Sequence, residues 1–279
     1  MGTSQSSGGP GGGVPMVPPW TPAPPAGDTP ADEGGQAEPS EPSAAPPTPQ
    51  PVPLAPAGRF RGTRLKLGKY ASSGDARDLR RSLKNYVRSG YGGSGTATRR
   101  FGGTAATAGA LGSALASVAS GRASVPGSPL DPILLAGRSV NEVMDAVVEA
   151  VRPVDGTQDA ESERMAIRDS LSDLLTQFPD ADILNLDADQ RNFAIERFTA
   201  IDVYRRFDLD VGKTISEKAP SAMTALSRLK EVRDYIKEEV AASFRKLRDA
   251  GRALTSGLIS RVVRDALLTT FQVFEGYSE

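Results

Sequence analysis

The sequence contains no histidine and no cysteine. Without cysteine there can be no disulfide, no thiolate nucleophile and no Cys/His zinc site. Without histidine nothing titrates near neutrality unless its surroundings shift it strongly, so Ser-His-Asp and Cys-His activation are excluded. A carboxylate pair or a lysine base remains chemically available. Long apolar runs are missing too. The best candidate, "TAATAGALGSALASVA" at 104–119, is mostly Ala, Gly, Ser and Thr, too short and too weakly apolar for a bilayer core. The start shows neither the basic n-region nor the apolar h-region of a secretory signal. These absences lead to the expectation of a soluble, cytoplasmic, non-enzymatic chain with no metal site and no membrane contact.

What is present is distributed unevenly. The 33 Lys and Arg nearly balance the 34 Asp and Glu, yet the charges fall in blocks. Residues 1–58 carry five acids and no cation, whereas residues 59–102 carry twelve cations against Asp75 and Asp78. Sixteen of the 22 prolines precede residue 60. Such Pro, Ala, Gly and Ser text cannot recover its ordering entropy by burial. The expected organisation is an N-terminal tail at 1–20, a disordered Pro-rich linker at 21–58, a basic arm and short helix at 59–102, and a helical body at 103–279.

The expected fold class is all-α: a disordered Gly/Pro-rich tail, then a multi-helix bundle with long C-terminal helices. Asp75 is a good N-cap for a helix with Leu79, Leu83, Tyr86 and Val87 on one face, ended near Ser89-Gly90. The Ala/Gly face of 104–119 predicts a helix packed closely against a neighbour. "SVNE" at 139–142 is a capping box opening a helix to about Val151, before Pro153. Further helices are expected at about 159–178, before Pro179, and at 187–207, with Phe193, Phe198, Ile201 and Tyr204 as its apolar side. Pro220 reads as the first-turn proline of a helix to about 250, with Ala222, Leu226, Leu229, Ile236, Val240, Phe244 and Leu247 inward. A last helix spans about 253–274, with Leu254, Leu258, Val262, Leu267 and Phe271.

Three stretches invite chemistry. "DVGKT" at 210–214 ends like a phosphate-binding loop but lacks the upstream glycine and the preceding strand. A helix C-terminus with a Gly break is the expected reading. "PDADILNLDADQ" clusters Asp180, Asp182, Asp187 and Asp189 without the EF-hand spacing, so these acids are expected as helix caps. The basic block interleaves Phe60, Tyr70, Tyr86, Tyr91 and Phe101 with Arg59, Arg61, Arg64, Lys66, Lys69, Arg77, Arg80, Arg81, Lys84, Arg88, Arg99 and Arg100. Cations for phosphates and aromatics for stacking suit a nucleic acid, giving an adaptor as the alternative function. The same block can instead dock on acidic helices of this chain or of a partner.

The tail itself is the remaining stretch. In "MGTSQSSGGPGGGVPMVPPW", Gly2 becomes an α-amine once Met1 is removed, and Gly2 with Ser6 also matches a myristoylation pattern, which leaves a lipid-anchored scaffold open. Trp20 after Pro18-Pro19 is suited to a partner's groove. This opening resembles the start of the QatB family, the associated proteins of the four-component Qat anti-phage defence system. "GRFRGTRLKLGKYASSGDARDLRRSLKNYVRSGYGGSGTATRRFGGTAATAGAL" is similar to that family's basic, Gly-punctuated segment. The resemblance implies a bacterial protein working with an ATPase, a QueC-like enzyme and a TatD-like nuclease. It further implies that Gly2 accepts a 7-deazaguanine from the QueC-like partner, which uses ATP, while this chain binds no cofactor of its own. Thr3, Ser4, Ser6, Gly8, Gly9, Pro10, Pro18, Pro19 and Trp20 would be read by that enzyme. An α-amine suits the chemistry, because its pKa of about 7.7–8 leaves it uncharged part of the time.

Overall fold

The computed structural model describes Val17 and residues 55–121, 127–252, 254 and 257–277. Among these residues the regular structure is helical, with no strand, as the periodicities predict. The α-helices are α1 (Arg61–Ser73), α2 (Ala76–Asn85), α3 (Ser94–Arg100), α4 (Gly102–Ala119), α5 (Pro132–Leu135), α6 (Val140–Val151), α7 (Gln158–Gln177), α8 (Ala188–Phe207), α9 (Lys213–Lys218), α10 (Ala222–Asp249) and α11 (Ile259–Glu275). A π turn at Tyr86–Gly90 prolongs α2, and a second at Asp208–Gly212 carries α8 directly into α9.

Side-chain caps set many of the starts. Asp75 accepts the Arg77 N–H at 2.8 Å ahead of α2, and the Ser139–Glu142 box closes reciprocally ahead of α6. Asp187 and Gln190 form a second box ahead of α8, and Asp182 caps the short 3-10 turn at Ile183–Asn185. The acid cluster around 180–189 thus supplies caps at Asp182 and Asp187.

Helix α8 is the axis of the body. Ten of its residues are buried, and α7, α10 and α4 pack around it. Ion pairs give directions: Asp169 pairs with Arg205 at 2.6 Å and Asp173 with Arg197 at 3.6 Å, so α7 and α8 run antiparallel. α11 lies across α4, α3 and α10, while the α1–α2 pair closes the other side through α9. One continuous apolar core reaches from Phe60 to Phe274. The Ala/Gly face of α4 packs as tightly as expected. A Cβ at Gly112 would lie 2.3 Å from Ile259 Cδ1 and 3.1 Å from Ile195 Cδ1.

Several local expectations are corrected. The stretch read as a basic arm is helix α1, burying Thr63, Leu67, Tyr70 and Ala71 at i, i+4, i+7 and i+8. The α2 segment ends at Gly90 as expected, its last turn a π turn from Tyr86, and the chain turns at Gly92 and Gly93, whose φ values of 75° and 100° only glycine adopts freely. Gly212 is no C-terminal break: its φ is −59°, and the helical path runs on into α9. Pro220 precedes the cap of α10, which is Ser221 accepting the Thr224 N–H at 3.1 Å. In α10 the inward stripe passes through Ala225, Val232, Ile236, Val240 and Phe244, leaving Leu226 64 % exposed and Ala222 outside. α11 begins at Ile259, after Gly257 with φ of 90°.

Candidate functional site

A cleft of about 540 Å³ opens between the start of α4, the loop after α6 and the first turns of α7, with α8 beneath. Its charged lining is Arg100 from the end of α3, Arg152 and Asp155 from the loop, Asp159 and Glu163 from α7, and Arg206 from α8. Thr107 of α4 donates to Glu163 Oε2 at 2.9 Å. Arg152 Nε lies 2.9 Å from the same oxygen, near enough to pair charges although its N–H does not point along a hydrogen bond. Arg206 donates to Asp159 Oδ2 at 3.2 Å. Arg100 approaches that oxygen at 3.7 Å.

Below the cleft floor Asp202 is buried and accepts the Thr104 hydroxyl at 2.6 Å. Burial, and then the Asp202 carboxylate, push Glu163 up to about 7, against the Thr107 bond and the charges of Arg152 and Arg206. Burial raises Asp202 as well, partly offset by Arg206 and Thr104. For Arg206 burial works against the charge, but Asp202 and Asp159 outweigh it and hold the guanidinium firmly protonated. A chain without histidine has therefore placed a carboxyl that titrates near neutrality among three guanidiniums. The arrangement can bind a charged ligand and change its charge with pH.

A second polar cluster gathers around Asp210, which is half-buried. Asp210 accepts hydrogen bonds from the Tyr86 hydroxyl at 2.9 Å and the Tyr91 hydroxyl at 2.6 Å, while its backbone carbonyl accepts from Arg64 Nη2 at 3.1 Å. The two π turns meet here, one opening with Tyr86 and the other holding Asp210. Phe60, Tyr86, Tyr91, Phe101 and Phe207 ring the cluster with centroid separations of 4.9–5.8 Å. Both tyrosines are buried, and the cluster ties the two turns together as a structural joint.

A family model described as "Qat anti-phage system associated protein QatB" matches residues 92–274. The chain belongs to the QatB family. Membership gives it a role in Qat anti-phage defence and implies partner proteins within that system. No curated protein and no solved structure matches.

In this QatB-family chain the expected tail residues Gly2, Thr3, Ser4, Ser6, Gly8, Gly9, Pro10, Pro18, Pro19 and Trp20 lie outside the described residues, as does the stretch 21–54 of the expected linker. The basic block is brought together only in part. Its five aromatics are all buried, none above 2 % exposure, so none can stack on a base. That half of the nucleic-acid reading is corrected: the rings are core. Of the cations, Arg59 stacks on Phe60 and Tyr91, Arg64 holds Asp210, Lys66 reaches Asp78 at 3.8 Å, and Arg100 lines the cleft. Arg81 and Lys84 are half-buried, while Arg61, Lys69, Arg77, Arg80, Arg88 and Arg99 are exposed. Among the described residues no group of acids is arranged to hold a metal, and no helix is long and apolar enough to cross a membrane.

Glu163, Asp202, Arg152, Arg206, Thr104 and Thr107 were not singled out from the sequence. Their signal was present. Glu163 interrupts the buried stripe Ala160, Ala166, Ile167, Ser170 of α7. Asp202 and Arg206, four apart, continue the buried stripe Ile195, Phe198 of α8. Charged residues in an apolar register need partners, and that is the clue to follow.

Proposed function

We propose that the chain is a non-enzymatic component of the Qat anti-phage complex. Its helical body is a docking platform, and Gly2, freed by removal of Met1, is bound and covalently modified with a 7-deazaguanine by a QueC-like partner. The ATP and the deazaguanine belong to that partner's reaction. The observation that carries this reading is membership of the QatB family, beside an N-terminal stretch that holds seven prolines and glycines within "GGPGGGVP" alone, as suits a threaded segment. A glycine terminus enters a narrow site without side-chain clashes, and its α-amine is the chain's most readily deprotonated amine. Burial of all five aromatics of the basic block takes away the stacking that a nucleic-acid adaptor needs, so that reading is the weaker of the two.

The test is the intact mass of the chain after co-expression with its neighbouring genes, followed by sequencing of the N-terminal peptide. A mass gain on Gly2 that disappears when the QueC-like gene is deleted, or when the amine is blocked, is the expected result. An unmodified terminus in the complete system would overturn the conjugation.

A further inference from the structure

We propose that the cleft between α4, α7 and α8 is a binding site for a small phosphate ester, whose phosphoryl group is held by Arg100, Arg152 and Arg206. This goes beyond the reading of the N-terminus and rests on separate residues. The volume of about 540 Å³ falls within the range of about 300–1,000 Å³ typical of small-ligand sites. Three guanidiniums converge on it from α3, the α6–α7 loop and α8. Each offers a planar fork of donors suited to a tetrahedral oxyanion.

Those donors are under-used. Arg206 is nine-tenths buried, lines the cleft and makes one hydrogen bond, to Asp159, while its Nε has no partner. Among the described residues Arg100 pairs with the same Asp159 oxygen, at 3.7 Å. One carboxylate oxygen thus serves two guanidiniums, and an incoming phosphoryl group would engage the N–H groups that face the cleft. The first turn of α7 lines the same cleft, and the positive end of a helix dipole favours an anion there.

The free donors of the cleft decide the sign of the ligand. Asp159 and Asp155 already hold arginines, and Glu163 is faced by Thr107, Arg152, Arg206 and the buried Asp202. When Glu163 carries its proton, three guanidiniums oppose Asp155, Asp159 and Asp202, so the charges balance; an ionised Glu163 adds a negative charge that repels an oxyanion. Binding of the anion is therefore linked to proton uptake at Glu163, and affinity rises as pH falls through neutrality.

The experiment is isothermal titration of the full chain with sulfate, whose charge is constant between pH 6 and pH 8, at ionic strength held with chloride. Ribose 5-phosphate is then titrated at pH 6. The expected result is saturable binding of both at one site. If only the protonated form binds, sulfate binds about tenfold more tightly at pH 6 than at pH 8, because the competent fraction changes by about that factor. Arg100→Ala, on the cleft rim, weakens both ligands at least tenfold with the circular dichroism spectrum intact, and Arg152→Ala serves as the second variant should the first not fold. Glu163→Gln keeps the binding and loses its pH dependence. Absence of saturable sulfate binding, affinity unchanged in the arginine variants, or rejection of ribose 5-phosphate by a site that takes sulfate would each overturn the proposal. A chain with Gly2 blocked binds as the unblocked one does, which separates this site from the N-terminal reading.

Discussion

Glu163 makes a quantitative demand on the stability of this fold. The residue is 4 % exposed, so solvent does little to screen it. Its carboxyl ionises at about 7 in the fold against an ordinary value of 4.5. Between those two pH values the unfolded chain has released the proton while the folded chain keeps it. The folded state binds more protons, so stability falls as pH rises across this window and levels off above it. The size follows from the same two values: once both states are ionised, the fold has lost about 3 kcal/mol. This runs opposite to a salt-bridged surface acid, which stabilises as pH rises.

Glu163→Gln isolates the effect. The amide keeps an oxygen to accept the Thr107 hydroxyl and never ionises. Urea unfolding of both chains, followed by far-UV circular dichroism at pH 4.5, 6 and 8, isolates Glu163 together with Asp202, whose charge acts on it. The variant's stability relative to the parent should grow by about 3 kcal/mol from pH 4.5 to pH 8, most of it before pH 7. A difference that stays constant with pH would refute the claim that Glu163 is buried and protonated near neutrality.

Two further perturbations probe packing and the Asp210 cluster. Tyr91→Phe removes the 2.6 Å donor to Asp210 and leaves a carboxylate that burial already pushes upward with one hydroxyl partner. The expected cost is about 1–3 kcal/mol in chemical denaturation, and an unchanged midpoint would show that Asp210 does not depend on the Tyr91 hydroxyl. Gly112→Leu drives a side chain into the space held by Ile259 and Ile195. It should cost about 1–3 kcal/mol, read as a lowered Tm, and a variant as stable as the parent would mean that α4 and α11 do not approach as closely as the structure has them.

Much of the helical architecture was legible because its signals are local. The box at Ser139–Glu142, the cap at Asp75 and the small face of α4 each depend on residues within a turn or two, and all stand where the sequence puts them. The errors share a cause. In α10 two apolar stripes compete, one through Ala222 and Leu226 and one through Ala225 and Val232, and only the neighbours α8 and α11 decide which is buried. The basic block misled for a similar reason. Cations and aromatics alternate in both a nucleic-acid surface and an amphipathic helix, and the rings had to be placed in three dimensions to show that they are core.

The pairings within the cleft and the Asp210 cluster were illegible for a stronger reason, since each joins groups remote in the chain. Thr104 meets Asp202 across 98 residues, and Tyr86 meets Asp210 across 124. Each partner alone is ordinary; a buried carboxylate makes sense only beside its donors. The Asp210 cluster also bears on where the folding unit begins. The family match starts at residue 92, immediately after Tyr91, yet Phe60, Tyr70, Leu83, Tyr86 and Tyr91 belong to the same core as Phe207 and Phe271. The matched region by itself would leave Asp210 without both of its hydroxyl donors and Phe207 without the Tyr86 ring that packs on it at 4.9 Å. α1, α2 and the π turn after them are therefore integral to the body, and the two π turns are the joint that fastens them to it.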